Sequence, residues 1–140
     1  MDIVRNILAV VIGLVLGSAV NMAIVVYGPE IIPPPVGVDV TNTESIRESI
    51  HLFEVKHFIM PFLAHAIGTF VGALVAYCIA VKRQFIVSFI IGFVFLAGGI
   101  SASTMIPAPV WFIVVDLTFA YIPMAWGGAY LAARIRNVET

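Results

Sequence analysis

Four long apolar stretches dominate the order of residues along this chain. Ile7 to Tyr27 carries no charge over 21 positions. Phe58 to Val81 holds no ionisable interruption but His65 in its upper half, and Phe85 to Met105 holds no charge at all. Val110 to Ala133 is broken only by Asp116. About 20 mostly apolar residues, rising about 1.5 Å each, cross the hydrocarbon core of a bilayer. The pattern therefore predicts an all-α integral membrane fold: a four-transmembrane-helix bundle, with spans at about 7–27, 58–81, 85–105 and 110–133, forming one membrane domain over 1–140. Pro107 and Pro109 separate the last two spans, because proline lacks the N–H and restricts the residue before it. Lys82-Arg83-Gln84 is a tight polar turn between the second and third. A secretory signal has an apolar core of about 7–15 residues, so the longer first stretch is expected to remain as a span.

The outer loop, 28–57, is the only sizeable polar segment. Pro33-Pro34-Pro35 predicts stiff, extended backbone. Thr41 followed by Glu44 has the spacing of a capping box, and Ile46, Ile50 and Phe53 recur on one helical face. A short amphipathic helix is expected from about Asn42 to Phe53, lying on the membrane surface or across the mouth of the bundle.

Small residues recur at helical spacing in every span: Gly13, Gly17 and Asn21; Ala64 or His65, Gly68, Gly72 and Ala76; Gly92, Leu96, Gly99 and Ser103; Asp116, Ala120, Pro123 and Gly127. Lipid gives helices no hydrophobic reason to associate, so close backbone approach along such stripes carries the packing. The stripes are expected to face inward. Pro123, inside the fourth span, is expected to kink it and release the carbonyl of Phe119, either as an adjustment of shape alone or to widen a pocket beneath Asp116. Gly13–Gly17 with Ser18 could alternatively pack outward in a homo-oligomer. The two halves show no internal similarity of the kind inverted-repeat transporters carry.

Composition agrees with a lipid environment. The 140 residues are 61% hydrophobic and 11% charged, with a mean hydropathy of +1.10, against about 25% charged in soluble domains. A net charge of −1 with no basic run argues against nucleic acid as a partner. A single cysteine, Cys78, excludes an internal disulfide. Arg5, Lys82, Arg83, Arg134 and Arg136 fall on one side and only Arg47 and Lys56 on the other, which predicts cytoplasmic N- and C-termini in a bacterial inner (plasma) membrane. The outer loop adds Glu30, Asp39, Glu44, Glu48 and Glu54, so its balance is two minus five, or −3. Trp111 and Tyr27 then mark the outer interface, with Trp126, Tyr130 and Tyr77 toward the inner one.

The polar residues inside the spans lie on the small-residue stripes. Counting from the span centres at about 1.5 Å per residue puts Asn21, His65 and Asp116 roughly 6–8 Å outward of the midplane. Thr69 is one turn deeper. Ionisable groups inside a membrane face the bundle interior and pair, and His65 is the one group in the spans able to become a cation for Asp116. The expected binding set is therefore Asp116 as charged centre, His65 as partner, and Asn21 and Thr69 as orienting donors. The same four residues could instead only tie helices in register. Ser101, Ser103 and Thr104 end the third span near this level, and Tyr121 lies near the midplane. A metal site is not expected: His57 and His65, eight apart, stand about 12 Å from each other along a straight helix, and no His-x3-His or HExxH motif is present. His51, His57 and Lys56 read as interfacial residues. No cofactor motif is present.

Pro33-Pro34-Pro35 with Gly37 and Asp39, His51-Leu52-Phe53, Lys56-His57-Phe58, Pro61-Phe62-Leu63-Ala64-His65 and Tyr121-Ile122-Pro123-Met124-Ala125-Trp126 together resemble small uncharacterised bacterial inner-membrane proteins. The resemblance covers most of the chain and implies a four-span topology and no particular activity. The inward arginines of four-helix eicosanoid and glutathione enzymes, the paired cysteines of the vitamin K reductase type, and the Glu-Met signature of small multidrug exporters are missing.

Function is thus expected to be binding or translocation of a small ligand or proton through an outer-half polar pocket, in contact with the lipid bilayer. The alternatives are an accessory or assembly subunit with a membrane-complex partner, and a membrane-embedded enzyme with a His/Asp site.

Overall fold

The computed structural model describes residues 1–138, with side chains through Arg136, and all elements among them are helical. In chain order they are α1 (Asp2–Ile31), α2 (Thr43–Ser49), α3 (Ile59–Ile79), α4 (Gln84–Met105), α5 (Val110–Phe119) and α6 (Ile122–Val138). Two short 3-10 turns, Ile50–Leu52 and Val55–Phe58, lead from α2 into α3. Four helical stretches are long and apolar enough to cross a membrane: α1, α3 with its preceding turn, α4, and α5 joined to α6. Large apolar side chains such as Val15, Ile90, Phe93, Val114 and Trp126 stand exposed around the outside. That surface suits lipid, and the chain is built as a multi-pass membrane protein.

The centre of the bundle is α3. Gly13 and Gly17 of α1 oppose Gly72 and Gly68 so closely that a Cβ on Gly13 would lie 2.7 Å from the Gly72 carbonyl oxygen, and one on Gly17 2.7 Å from that of Gly68. All four glycines are buried. The first stripe is therefore occupied within the chain and does not pack outward. On the α4 side, Ser88 Oγ donates to the Ala73 carbonyl over 2.9 Å, and a Cβ on Gly92 would meet Ala125 at 2.7 Å. Ala9, Ala73, Ala76, Ala80, Val87, Ile91 and Ala125 form one continuous cluster in the inner half.

Three boundaries differ from the sequence expectation. First, α1 runs through Gly28 and Pro29 to Ile31; it stops because Ile32, preceding Pro33, is held extended at φ −125°, ψ 91°. Second, the loop helix covers only Thr43–Ser49, and its cap is Asn42, whose Oδ1 accepts from the Glu44 and Ser45 amides. Thr41 turns back to Asp39 instead. Third, the fourth span is two helices. The chain leaves α5 after Phe119 and restarts at Ile122, which puts Pro123 in the first turn of α6, where a missing N–H is inexpensive. The break rotates the inward face. Below it the buried stripe is Tyr121, Ala125, Gly128, Ala129 and Ala132, while Pro123 is exposed and Gly127 half-buried. Gly128, not Gly127, lets α6 settle on the backbone of Phe70.

The inner ends are tied by polar contacts. Arg5 Nε donates to the Ile79 carbonyl at 2.8 Å, the Val81 amide to Asn6 Oδ1 at 2.8 Å, and Lys82 Nζ sits 2.9 Å from Asp2. Lys82 and Arg83 both adopt left-handed backbone, φ 58° and 49°, to make the tight turn into α4.

Candidate functional site

The outer halves of α1, α3, α4 and α5 do not close on one another. Their separation leaves a cavity of about 290 Å³, a size close to the lower end for small-molecule sites. Val25 and Gly28 of α1, Met60 and His65 of α3, Ala102 and Ser103 of α4, and Phe112 and Asp116 of α5 form its sides. The outer loop roofs it: Ile46, Ile50 and Phe53, the apolar face expected from their spacing, all point into it. An aromatic group builds the wall next to the roof, with Phe58 packed on Phe53 (6.0 Å between ring centres), on Phe112 (4.9 Å) and on Trp111 (5.4 Å).

At the floor, His65 and Asp116 meet. His65 Nδ1 lies 2.9 Å from Oδ1 and 3.0 Å from Oδ2 of Asp116. The Tyr121 hydroxyl donates to Oδ2 over 3.0 Å, and the Tyr121 and His65 rings stack at 5.7 Å. The helix break at Ala120–Tyr121 makes this possible, because it turns Tyr121 inward directly below Asp116. The ring is buried against Gly99, where any side chain would collide with it. The pocket that Pro123 is expected to widen beneath Asp116 is thus filled by Tyr121.

These contacts set the local chemistry. A carboxylate only accepts, so Nδ1 of His65 carries the proton and neutral His65 keeps Nε2 as an acceptor. The Asp116 side chain is 7% exposed and that of His65 27%, so the imidazole is the face the cavity sees and the carboxylate lies behind it. At the rim the second histidine has the opposite arrangement. The Glu54 amide donates to His57 Nδ1 over 2.8 Å, which makes Nε2 of neutral His57 the donor.

Of the four residues expected to act together, the structure joins two. Asn21 packs on Gly68, and its Oδ1 is buried and accepts no hydrogen bond among the described residues. Thr69 is buried and donates its hydroxyl to the carbonyl of His65, one turn above, over 2.7 Å. Neither lines the cavity. Tyr121 does what was expected of them: it donates to the charged centre. Ser103 lines the cavity, with its hydroxyl donating to Ile100 within α4. Among the described residues no three histidine, cysteine or acidic side chains converge as a metal would need.

In the outer loop, Asp39 accepts from both the amide (2.9 Å) and the hydroxyl (2.7 Å) of Thr41. These bonds, the hydroxyl first, hold its carboxyl below the ordinary aspartate range. Arg47 pairs with Glu44 and Lys56 with Glu54, each at 3.1 Å. Comparison of the chain with protein-family models, curated proteins and solved structures finds no match.

Proposed function

We propose that the chain binds a small amphiphilic molecule in the outer-half cavity, with the apolar body against the aromatic and aliphatic walls and one polar group on His65. One observation carries this reading: an oriented, hydrogen-bonded Asp–His pair stands at the floor of a largely apolar cavity. Such a combination of apolar walls and a few convergent polar groups is how small-molecule sites are built, and ionisable groups at this depth mark ligand or proton sites. The inner half supports binding over passage. Below Tyr121 the bundle closes on alanine and glycine contacts too tight to add a Cβ at Gly13, Gly17 or Gly92 without displacement.

The proposed setting is a bacterial inner membrane with both termini cytoplasmic. It is supported by the gathering of Arg5, Lys82, Arg83, Arg134 and Arg136 at one end of the bundle. The cavity then faces the outer side under the proline-rich loop.

The test is retention of a native ligand. Wild type and Ala102→Trp, which places an indole in the cavity, are purified from native membranes and extracted for mass spectrometry. The wild type should carry a small molecule that the variant lacks, at equal helix content and monodispersity. Identical extracts from two folded proteins would sink the reading.

A further inference from the structure

The charge of the cavity identifies the class of ligand, if the chain binds one there as proposed above. The His65–Asp116–Tyr121 cluster carries one negative charge while His65 is neutral. A lone charge at this depth is costly, so the site is most stable when it holds one positive charge. Two sources can supply it. One is a proton on Nε2 of His65. The other is a ligand N–H cation donating to the same Nε2, with the carboxylate of Asp116 behind the ring.

Two further observations bear on the ligand. The wall nearest the roof is aromatic, with Phe53, Phe58 and Phe112 all lining the cavity, which suits the lipophilic body of a ligand whose charged end lies at the floor. The outer segment above the cavity carries a net negative charge. Arg47 and Lys56 are matched by Glu44 and Glu54, and Glu30, Asp39 and Glu48 remain in excess, none of them lining the cavity, with Asp39 kept ionised by its two bonds from Thr41. Charge of one sign around a low-dielectric cleft concentrates the opposite sign there.

We infer that the cavity binds a protonated lipophilic amine, in exchange for one proton at His65. The titratable groups facing His65 are Asp116 from α5, Tyr121 from the turn into α6, and His57 across the cavity; α1 and α4 present Val25, Gly28, Gly99 and Ala102. Protonated His57 at the rim would add to the exclusion of a cation, in the same direction as protonated His65. Because amine and proton compete for one site, each weakens the other by the same factor.

Binding to the purified full chain in nanodiscs distinguishes the possibilities, with 2-phenylethylamine, the neutral 2-phenylethanol and the anionic 3-phenylpropanoate as probes of one shape. The amine should bind at least about tenfold tighter than the alcohol, and the carboxylate weakest. Acidification should lower amine affinity by up to tenfold per pH unit while leaving the alcohol unchanged, the limit for exchange of one proton. Asp116→Asn, which removes the negative charge behind the ring, should remove the preference for the amine over the alcohol. Equal binding of amine and alcohol, with both lost in Ala102→Trp, would overturn the cation assignment and leave the cavity reading standing. Stronger binding of the carboxylate would also overturn it. Binding of none of the three would count against both. The comparison among probes rests on the wild type, so it decides the matter even where Asp116→Asn does not fold.

Discussion

Tyr121 Oη lies 3.0 Å from Oδ2 of Asp116, and the same carboxylate receives Nδ1 of His65 at 2.9 Å. A carboxylate flanked by two donors is held in one rotamer, and it in turn fixes which nitrogen of His65 is bare. Position, tautomer and charge of the site therefore depend on a residue outside the regular helices. The dependence runs through the break between α5 and α6. A continuous helix would carry the ring elsewhere.

Removing the tyrosine hydroxyl alone should be measurable. Tyr121→Phe keeps the ring against Gly99 and leaves Oδ2 of Asp116 with His65 only. Hydrogen bonds between membrane helices contribute about 0.6 kcal/mol on average and about 1.7 at most; with a charged acceptor the loss should fall near the upper figure. His65→Ala should cost more, about 3–5 kcal/mol, because it leaves the buried Asp116 carboxylate without its partner, and Asp116→Ala, which leaves a neutral imidazole donor unpaired, about 1–3 kcal/mol. Denaturant unfolding in mixed micelles gives the ranking. A neutral Asp116→Ala would mean that the pair contributes nothing to the fold.

The contact between α1 and α3 makes a sharper steric prediction. A Cβ at Gly17 meets the Gly68 carbonyl oxygen at 2.7 Å, and one at Gly68 meets that of Gly17 at 2.8 Å. Both oxygens belong to the backbone and cannot rotate away. Gly17→Ala and Gly68→Ala should each destabilise by about 1–3 kcal/mol, the range for overpacking. Gly98→Ala, one residue from the inward Gly99, meets nothing within 4 Å and should gain up to about 1 kcal/mol from helix propensity. Thermal unfolding of the three variants side by side reads the difference in sign.

The outer loop has its own pH dependence. Two bonds from Thr41 lower the carboxyl of Asp39 below its ordinary range. A lowered folded value means the ionised turn is favoured above the unfolded value, and the contribution fades as pH falls through the folded one. The Asp39–Thr41 turn should thus be intact at neutral pH and loosen only in strong acid. Thr41→Val, which removes the hydroxyl bond and keeps the amide, should raise the titration midpoint of Asp39. Carbon NMR of the Asp39 carboxyl against pH follows it directly; an unchanged midpoint would mean the hydroxyl does not reach the carboxylate in solution.

How far the sequence reaches depends on which force decides each feature. The spans follow from hydropathy because lipid imposes length and apolarity residue by residue. Close packing along the small-residue stripes was legible for a similar reason, since small residues at a spacing of four serve close approach, but which helix opposes α1 was not. His65 and Asp116 were found because a charge inside a span has few permitted positions. For Asn21 a reading of depth could not say which neighbour the side chain touches, and it packs on Gly68. Thr69 illustrates a competing local bond: a hydroxyl in a helix reaches its own carbonyl four residues back more readily than a distant ligand. Tyr121 was missed as a donor because the break at Ala120–Tyr121 has no breaker of its own. Pro123, the visible signal, lies just after it and is read most naturally as a kink within a continuous span.

Gly99 offers the closest test of how this break and the site are coupled. Its missing side chain is what admits the Tyr121 ring, and a Cβ there would collide with the ring and with its hydroxyl. Gly99→Ala should therefore push the hydroxyl off Asp116. In the wild-type background it should destabilise by about 1–3 kcal/mol through overpacking and in addition abolish the hydrogen bond. In the Tyr121→Phe background the bond is already gone and so is the nearest clash, with the hydroxyl, so only the collision with the ring remains. The two substitutions should then be non-additive by at least about the value of the Tyr121–Asp116 bond, within the 0.5–3 kcal/mol seen for residues in contact. A double-mutant cycle on unfolding free energies measures that difference. Strict additivity would show that Gly99 makes room for the ring without controlling where its hydroxyl lies.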